Sequence, residues 1–352
     1  MKVTLVSLRA PDAARAAGLP ELTPELLAAT GARYSRNNEG LESILEKIDP
    51  NNPDKSVDSI FRMVDYGHQS IADMAPVSMF IDGISMWLAY QVWSQCPVAG
   101  GQESSTRYLR LGLDALVDPE EMGIPHSLTD AWSDLMRDCL EAYDAAHTAW
   151  SALAEANPEV TRIPKALLES TEPKDQRVVE RMQRNFAYDR ARYFLPACLR
   201  TNMMLVMSAR GWVQLIQWLR SHYLPEAQRL GRVLAERLEI ATPRLVKHAV
   251  AQPSYEAGHR EEFDHLIHLA RHPELLPKAT KLEVHSPEGV DEGALEHGLA
   301  FHDHRYAYTG HAIRRTMVRF TLPEVALAEA RDLNRHRTGS KYSPAVPTGF
   351  YG

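Results

Sequence analysis

Glu103-Ser104-Ser105-Thr106-Arg107-Tyr108 places hydroxyls and one guanidinium within a few residues, a donor set suited to a phosphate dianion. The preceding Gly100-Gly101 offers backbone amides that can form an anion-binding nest. Arg192, just ahead of Leu195-Pro196, is a second cation at a chain break. On composition alone, Arg107 serves equally as a solvated loop arginine and Ser104-Ser105 as a helix cap. Tyr108 either packs against a base or fills the core. His68 and Asp73 flank Ser70 at a helix start, where unpaired amides favour acceptors and anions, so they read equally as caps. Ser208 and Arg210 form a further hydroxyl–guanidinium pair. Near the end, Arg335-His336-Arg337 and Ser340 form a compact basic group. It suits either an anion or the negative end of a helix dipole.

The surrounding chain is ordinary in composition, with 44% hydrophobic and 24% charged residues over 352 positions, enough for two domains or one large one. The net charge of -7 argues against broad nucleic-acid binding, which needs concentrated Lys and Arg, but allows a local basic pocket. Three cysteines (Cys96, Cys139, Cys198) are too few and scattered for a disulfide framework and suit a reducing cytoplasm. No apolar run is long enough for a signal peptide core or a membrane span, so no membrane partner is expected. His297, His302, His304 and His311 with Asp303 contain one H-x-H, too weak a pattern to predict a metal site. Cys96 lacks a neighbouring general base and reads as a small buried residue.

These residues need elements to hold them. Residues 2–8 read as an opening strand that stops at Pro11. Helical patterning runs over about 23–47 and again from Ser56, with a loop at 51–54. Residues 75–93 are apolar and end in a Trp-rich run that fits a strand followed by a buried helix, though periodicity alone does not decide it, and 98–110 read as an anion-binding loop. Apolar residues from Leu128 to Trp150 recur at helical spacing, with Ser127 and Asp130 as a capping box. Further helices are expected over 176–192, 197–220 and 225–249, then a connector over 252–279. Lys281–His285 restarts the opening theme. Placing Phe80 on Phe320 sets SMFIDGISMWLAYQVWSQCP over VRFTLPEVALAEARDLNRHR without a gap, which suggests an internal duplication.

Three segments in order resemble the flavin-dependent thymidylate synthases. Gly67-His68-Gln69-Ser70-Ile71-Ala72-Asp73 is similar to that family's G-H-x-S-x-x-E, with Asp in place of Glu. Glu103 to Tyr108 resembles the end of its R-H-R signature. Ala191-Arg192-Tyr193-Phe194-Leu195-Pro196, followed by Ser208-Ala209-Arg210 and Ala227-Gln228, is similar to its A-R-x-x-L-P, N-x-R and A-Q stretches. The family's R-H-R falls on Gln95-Cys96-Pro97, which is neutral, and its first serine on Gly100. The offset that pairs Phe80 with Phe320 puts Arg335-His336-Arg337 and Ser340 on those positions, so the signature is split between two copies.

The resemblance implies an α+β fold with a small antiparallel sheet and many helices. It implies one full copy over 1–250, a connector over 251–279 and a partial copy over 280–352. It implies an enzyme: reductive C5 methylation of a pyrimidine nucleotide, dUMP to dTMP or a close relative, with FAD, methylenetetrahydrofolate and NADPH. Glu103, Ser104, Ser105, Thr106, Arg107, Tyr108 and Arg192 would hold the substrate. Arg335, His336, Arg337, Ser340, His68, Ser70, Asp73, Ser208 and Arg210 would hold the flavin. Arg107 and Arg335 would act closest to the chemistry. Family members assemble as tetramers with shared sites, so a dimer of tandem copies imitating that tetramer is expected. The alternatives are a diverged flavoenzyme for another pyrimidine and a non-catalytic nucleotide-binding scaffold.

Overall fold

The structure is a computed structural model that describes the chain except for residues 7–17, 19–21, 36–39, 66–68, 97–98, 110, 301–309, 335–341, 343, 345 and 349–352. It divides into two compact units, the first comprising 1–264 with 330–345 and the second 265–329 with 346–352.

A four-stranded antiparallel sheet organises the first unit. Its strands are β1 (Lys2–Val6), β2 (Pro76–Ser85), β3 (Gly100–Glu103) and β4 (Arg200–Ser208), in the order β1-β2-β4-β3. Along β2 and β4 the buried residues alternate: Val77, Met79 and Ile81 on one, Thr201, Met203, Leu205 and Met207 on the other. One face is therefore committed to the core, as period-two side chains require. A register shift between Asp82 and Ile84 surrounds Gly83, whose φ is +75°, and turns Ile84 and Ser85 inward as well.

Helices cover that apolar face. α1 (Pro24–Tyr34), α2 (Gly40–Glu46), α3 (Pro53–Asp65) and α4 (Ser70–Asp73) fill the span between β1 and β2. The 51–54 loop expectation is shortened, because Pro53 opens α3, where its missing N–H costs nothing. After β2 comes α5 (Met86–Gln95), capped by the Ser85 hydroxyl, which accepts from the Leu88 amide at 3.0 Å. The long α6 (Thr129–Ala156), the short α7 (Lys165–Leu168) and α8 (Pro173–Ala191) follow. No side chain caps α6, so the Ser127–Asp130 box does not form: Ser127 lies in a 3-10 turn leading in.

α9 (Ala209–Arg220) and α10 (Pro225–Ala241) finish the core with Trp212, Leu215, Ile216 and Leu219 against Leu230, Leu234 and Leu238. One expectation fails in this region. Residues 197–220 are not one helix, since 200–208 form β4 between β2 and β3. The 252–279 connector is largely α11 (Pro253–Arg271), whose buried Leu266 and His259 anchor an otherwise polar helix. Among the described residues no helix is long and apolar enough to cross a membrane.

The second unit holds a two-stranded antiparallel sheet, β5 (Lys281–His285) with β6 (Met317–Thr321). Between them lie α12 (Glu292–Leu299) and α13 (His311–Arg315). α14 (Leu327–Asn334) begins in this unit and ends in the first.

Candidate functional site

β3 ends at Glu103, and the chain then turns into a 3-10 segment over Thr106–Tyr108. Gly100 and Gly101 do not form a nest. They run as strand, opposite Val206 and Leu205 of β4. A Cβ on Gly101, whose φ is +157°, would lie 2.0 Å from the Met204 carbonyl oxygen, so only glycine lets β3 approach β4 this closely. The turn beyond is fastened at both ends. The Ser104 amide donates to the Asn202 carbonyl at 2.8 Å, and the Ser105 hydroxyl accepts from the Arg107 amide at 3.4 Å.

Glu103 points inward. Its side chain is 1% exposed. One carboxylate oxygen accepts from Trp93 Nε1 at 3.1 Å; the other accepts from Thr201 Oγ1 at 3.5 Å and Arg331 Nε at 3.0 Å, with Arg331 Nη2 also bound to it. Arg331 Nη2 further donates to the Ser104 carbonyl at 3.3 Å. A buried carboxylate is tolerable only with this density of partners. The last turn of α14 is thereby held against the base of the turn that carries Ser105 and Arg107.

The two expected phosphate arginines lie beside carboxylates. Arg107 presents Nε and Nη2 to Asp189 of α8, at 3.2 Å to Oδ1 from Nε and 2.7 and 2.6 Å to the two oxygens from Nη2. Arg192, where α8 gives way to a 3-10 turn, donates Nη2 to Asp332 Oδ2 at 2.8 Å. Its Nε–H is buried and finds no acceptor among the described residues. A second group forms at the far end of β4. Asp73, closing α4, accepts from Ser208 Oγ at 3.4 Å and from Arg210 Nη1 at 3.0 Å. Ser208 also caps α9 by accepting from the Gly211 amide at 3.2 Å. Ser70 is exposed at the start of α4.

Glu103 pairs with Met203, so five residues of β4 separate the two groups, about 17 Å of strand. The structure brings Glu103, Ser104, Arg107 and Arg192 to one end, and Asp73, Ser208 and Arg210 to the other. His68, Arg335, His336, Arg337 and Ser340 lie outside the described residues, as do His302, Asp303 and His304 of the histidine group. Cys96 is buried, and burial pushes its thiol up to about 12, which suits a core residue rather than a nucleophile.

Sequence reasoning missed Asp189, Arg331 and Asp332. Asp189 stands three residues before Arg192, near the end of the helix expected over 176–192, a spacing that signals a shared face. Arg331-Asp332 stands two residues before the basic group, where the Phe80–Phe320 offset places Gln91-Val92. That charge difference was a legible signal.

The profile described as Thymidylate synthase complementing protein matches residues 19–244. The chain belongs to this family, that of the flavin-dependent thymidylate synthases. The UPF0159 protein of Chlamydia muridarum is 26% identical over 323 residues, covering 82% of this chain and 58% of its own. UPF0159 protein Ta1429 of Thermoplasma acidophilum is 25% identical over 241 residues, covering 63% and 48%. A UPF0159 protein of Chlamydia pneumoniae is 25% identical over 303 residues, covering 77% and 54%. The chain thus spans about half the length of the curated relatives it matches. The motif resemblance and the α+β fold with its small antiparallel sheet are borne out. The family is flavin-dependent in general. The Ser208 hydroxyl, the Arg210 guanidinium and the start of α9 are donors of the kind a flavin dinucleotide's pyrophosphate takes, so the residues present fit that group.

Proposed function

We propose that this chain takes part in flavin-dependent reductive methylation of a pyrimidine nucleotide at C5, dUMP to dTMP or a close relative, with methylenetetrahydrofolate and NADPH. The reading is carried by one observation: the last turn of α14 is bound to Glu103, Ser104 and Arg192, the residues beside the expected phosphate grip. Arg335-His336-Arg337 directly follow that turn in sequence.

In this reading Ser105, Arg107 and Arg192 bind the nucleotide's phosphate and fix the pyrimidine's position. Ser208, Arg210 and Asp73, with His68 and Ser70, receive the flavin. Bound FAD, once reduced, supplies the hydride that completes the methyl group. Arg335 and Arg337 place positive charge near the ring. The 17 Å of β4 between the two groups supports sites assembled from more than one copy, as in a dimer of tandem chains in the cytoplasm.

We also propose the domain plan of a whole copy (1–250), a connector (251–279) and a partial copy (280–352). Support comes from register. Lys281 faces Thr321 and Leu282 faces Phe320, as Val3 faces Ile81 and Thr4 faces Phe80, and α14 follows β6 as α5 follows β2.

The test is spectroscopic. The purified chain should be yellow, and Arg335→Ala with Arg337→Ala should abolish its flavin absorption. Tritium release from C5-labelled dUMP, against UMP and dCMP, then reads the substrate. The Arg107–Asp189 pair favours a second reading, a diverged flavoenzyme for a different pyrimidine, because Asp189 occupies the edge a phosphate would use. A colourless chain that still binds nucleotide would favour the scaffold.

A further inference from the structure

The two arginines at the nucleotide end of β4 are engaged differently. Asp189 takes Arg107 along one whole edge of the guanidinium, Nε and Nη2 together. Asp332 takes Arg192 by Nη2 alone. The Nε–H of Arg192 is buried without an acceptor among the described residues, although the side chain is 21% exposed. A guanidinium presents its donors in a rigid planar fork, so fixing one terminal nitrogen fixes where Nε points. A buried N–H without a partner is uncommon in folded proteins and calls for an acceptor.

Asp332 cannot drift. Its neighbour Arg331 is 12% exposed and is bound to Glu103 and to the Ser104 carbonyl. Two consecutive residues of α14 therefore grip the nucleotide end at two points: a buried cation on Glu103 and a half-exposed anion on Arg192.

We propose that Asp332 is a positioning residue for the nucleotide's phosphate: it holds Arg192 by Nη2 so that the buried Nε–H is left as the donor for a phosphate oxygen. Arg331 fixes Asp332 in place by anchoring the same helical turn on Glu103. The inference rests on the nucleotide reading above and deepens it by assigning the partial copy a role in phosphate binding through described residues.

The experiment compares dUMP with deoxyuridine, which lacks the phosphate, by calorimetry on the full chain. Asp332→Ala should weaken dUMP by about tenfold or more, the scale of a lost hydrogen bond to a charged group. Deoxyuridine affinity should stay within about twofold, because its binding does not use Arg192. Asp332→Asn, which keeps an acceptor oxygen, should lose less than Asp332→Ala. Tighter dUMP binding in both variants would mean that Asp332 competes with the phosphate, and would overturn the proposal. Equal losses for both ligands, with a lowered Tm, would make Asp332 merely structural and would also overturn it. If the unaltered chain binds no pyrimidine nucleotide, the functional reading fails separately. Inorganic phosphate then serves as the probe, and binding indifferent to Asp332→Ala, or absent, refutes the positioning role.

Discussion

His222 and His259 meet in the core with their ring centroids 4.8 Å apart, under Trp218, Trp87 and Tyr223. His222 Nδ1 accepts from the Leu224 amide at 3.0 Å, and His259 Nε2 lies 3.2 Å from the Trp218 carbonyl. Burial, with the neighbouring imidazole second, lowers His222 from 6.5 to about 3; burial also lowers His259, against the Trp218 carbonyl and Glu262. Such groups bind fewer protons folded than unfolded, so stability is lost as pH falls below 6.5 and continues to fall towards 3. One imidazole kept neutral contributes a slope of about 1.4 kcal/mol per pH unit in that window. Glu25 and Glu226, raised by burial, act in the opposite sense just above the ordinary carboxylate range. The measurement is therefore a comparison: His222→Gln should flatten the fall of Tm between pH 6.5 and 4 relative to the unaltered chain. Parallel curves would show that the pair does not set acid stability. At this scale the sequence reading named Arg107, Arg192, Asp73, Ser208 and Arg210 but none of the carboxylates beside the first two. Residue type announces a phosphate donor, whereas its resting partner is chosen by packing between segments far apart in the chain.

At the scale of elements, short-range pattern served well where one neighbour sets the structure. KVTLV, KLEVH and the long α6 were legible, whereas 75–93 fitted a strand and then a helix without periodicity deciding it. β4 was not, because RTNMMLVMS flows into ARGWVQLIQWLR and methionine suits either period. Its two-residue alternation, with Thr201, Met203, Leu205 and Met207 buried, is clear only once β2 and β3 are seen on either side. β3 was also missed, since GGQE lacks strand residues and becomes a strand by closeness to β4 rather than by propensity. That dependence is testable. Gly101→Ala would drive a methyl group to 2.0 Å from the Met204 oxygen and 3.1 Å from the Trp93 ring. The strand must move away, and with it Glu103 and the turn that carries Arg107. A loss of about 3 kcal/mol or more is expected, measured as a lower urea midpoint with an unchanged slope. Gly101 replaced at a cost below about 0.5 kcal/mol would show that β3 can yield freely.

At the scale of the molecule, the chain reads as a family core in which the end of the sheet that carries Glu103 depends on residues from the chain's last quarter. The dependence is electrostatic. Glu103 lies within the first 250 residues, and Arg331 is its cationic partner among the described residues. Trp93 and Thr201 supply hydrogen bonds but no charge, and neutral donors alone leave a buried carboxylate poorly compensated. Shortening the chain to residues 1–326 removes Arg331 and Asp332 together. If the residues beyond 326 were only an appendage, the remaining core would keep its stability. With Glu103 stranded, it should instead lose about 3–5 kcal/mol, the scale for a buried ion pair deprived of one partner. Replacing the stranded charge distinguishes this from a general loss of contacts. In the shortened chain Glu103→Gln should recover part of that loss, because the neutral amide no longer needs a cation. In the full chain the same substitution should destabilise, because it leaves Arg331 buried and unmatched. Opposite signs for one substitution in two lengths of chain, read by thermal unfolding, are what the Glu103–Arg331 pair demands; equal signs would mean that the core holds the Glu103 end of its sheet by itself.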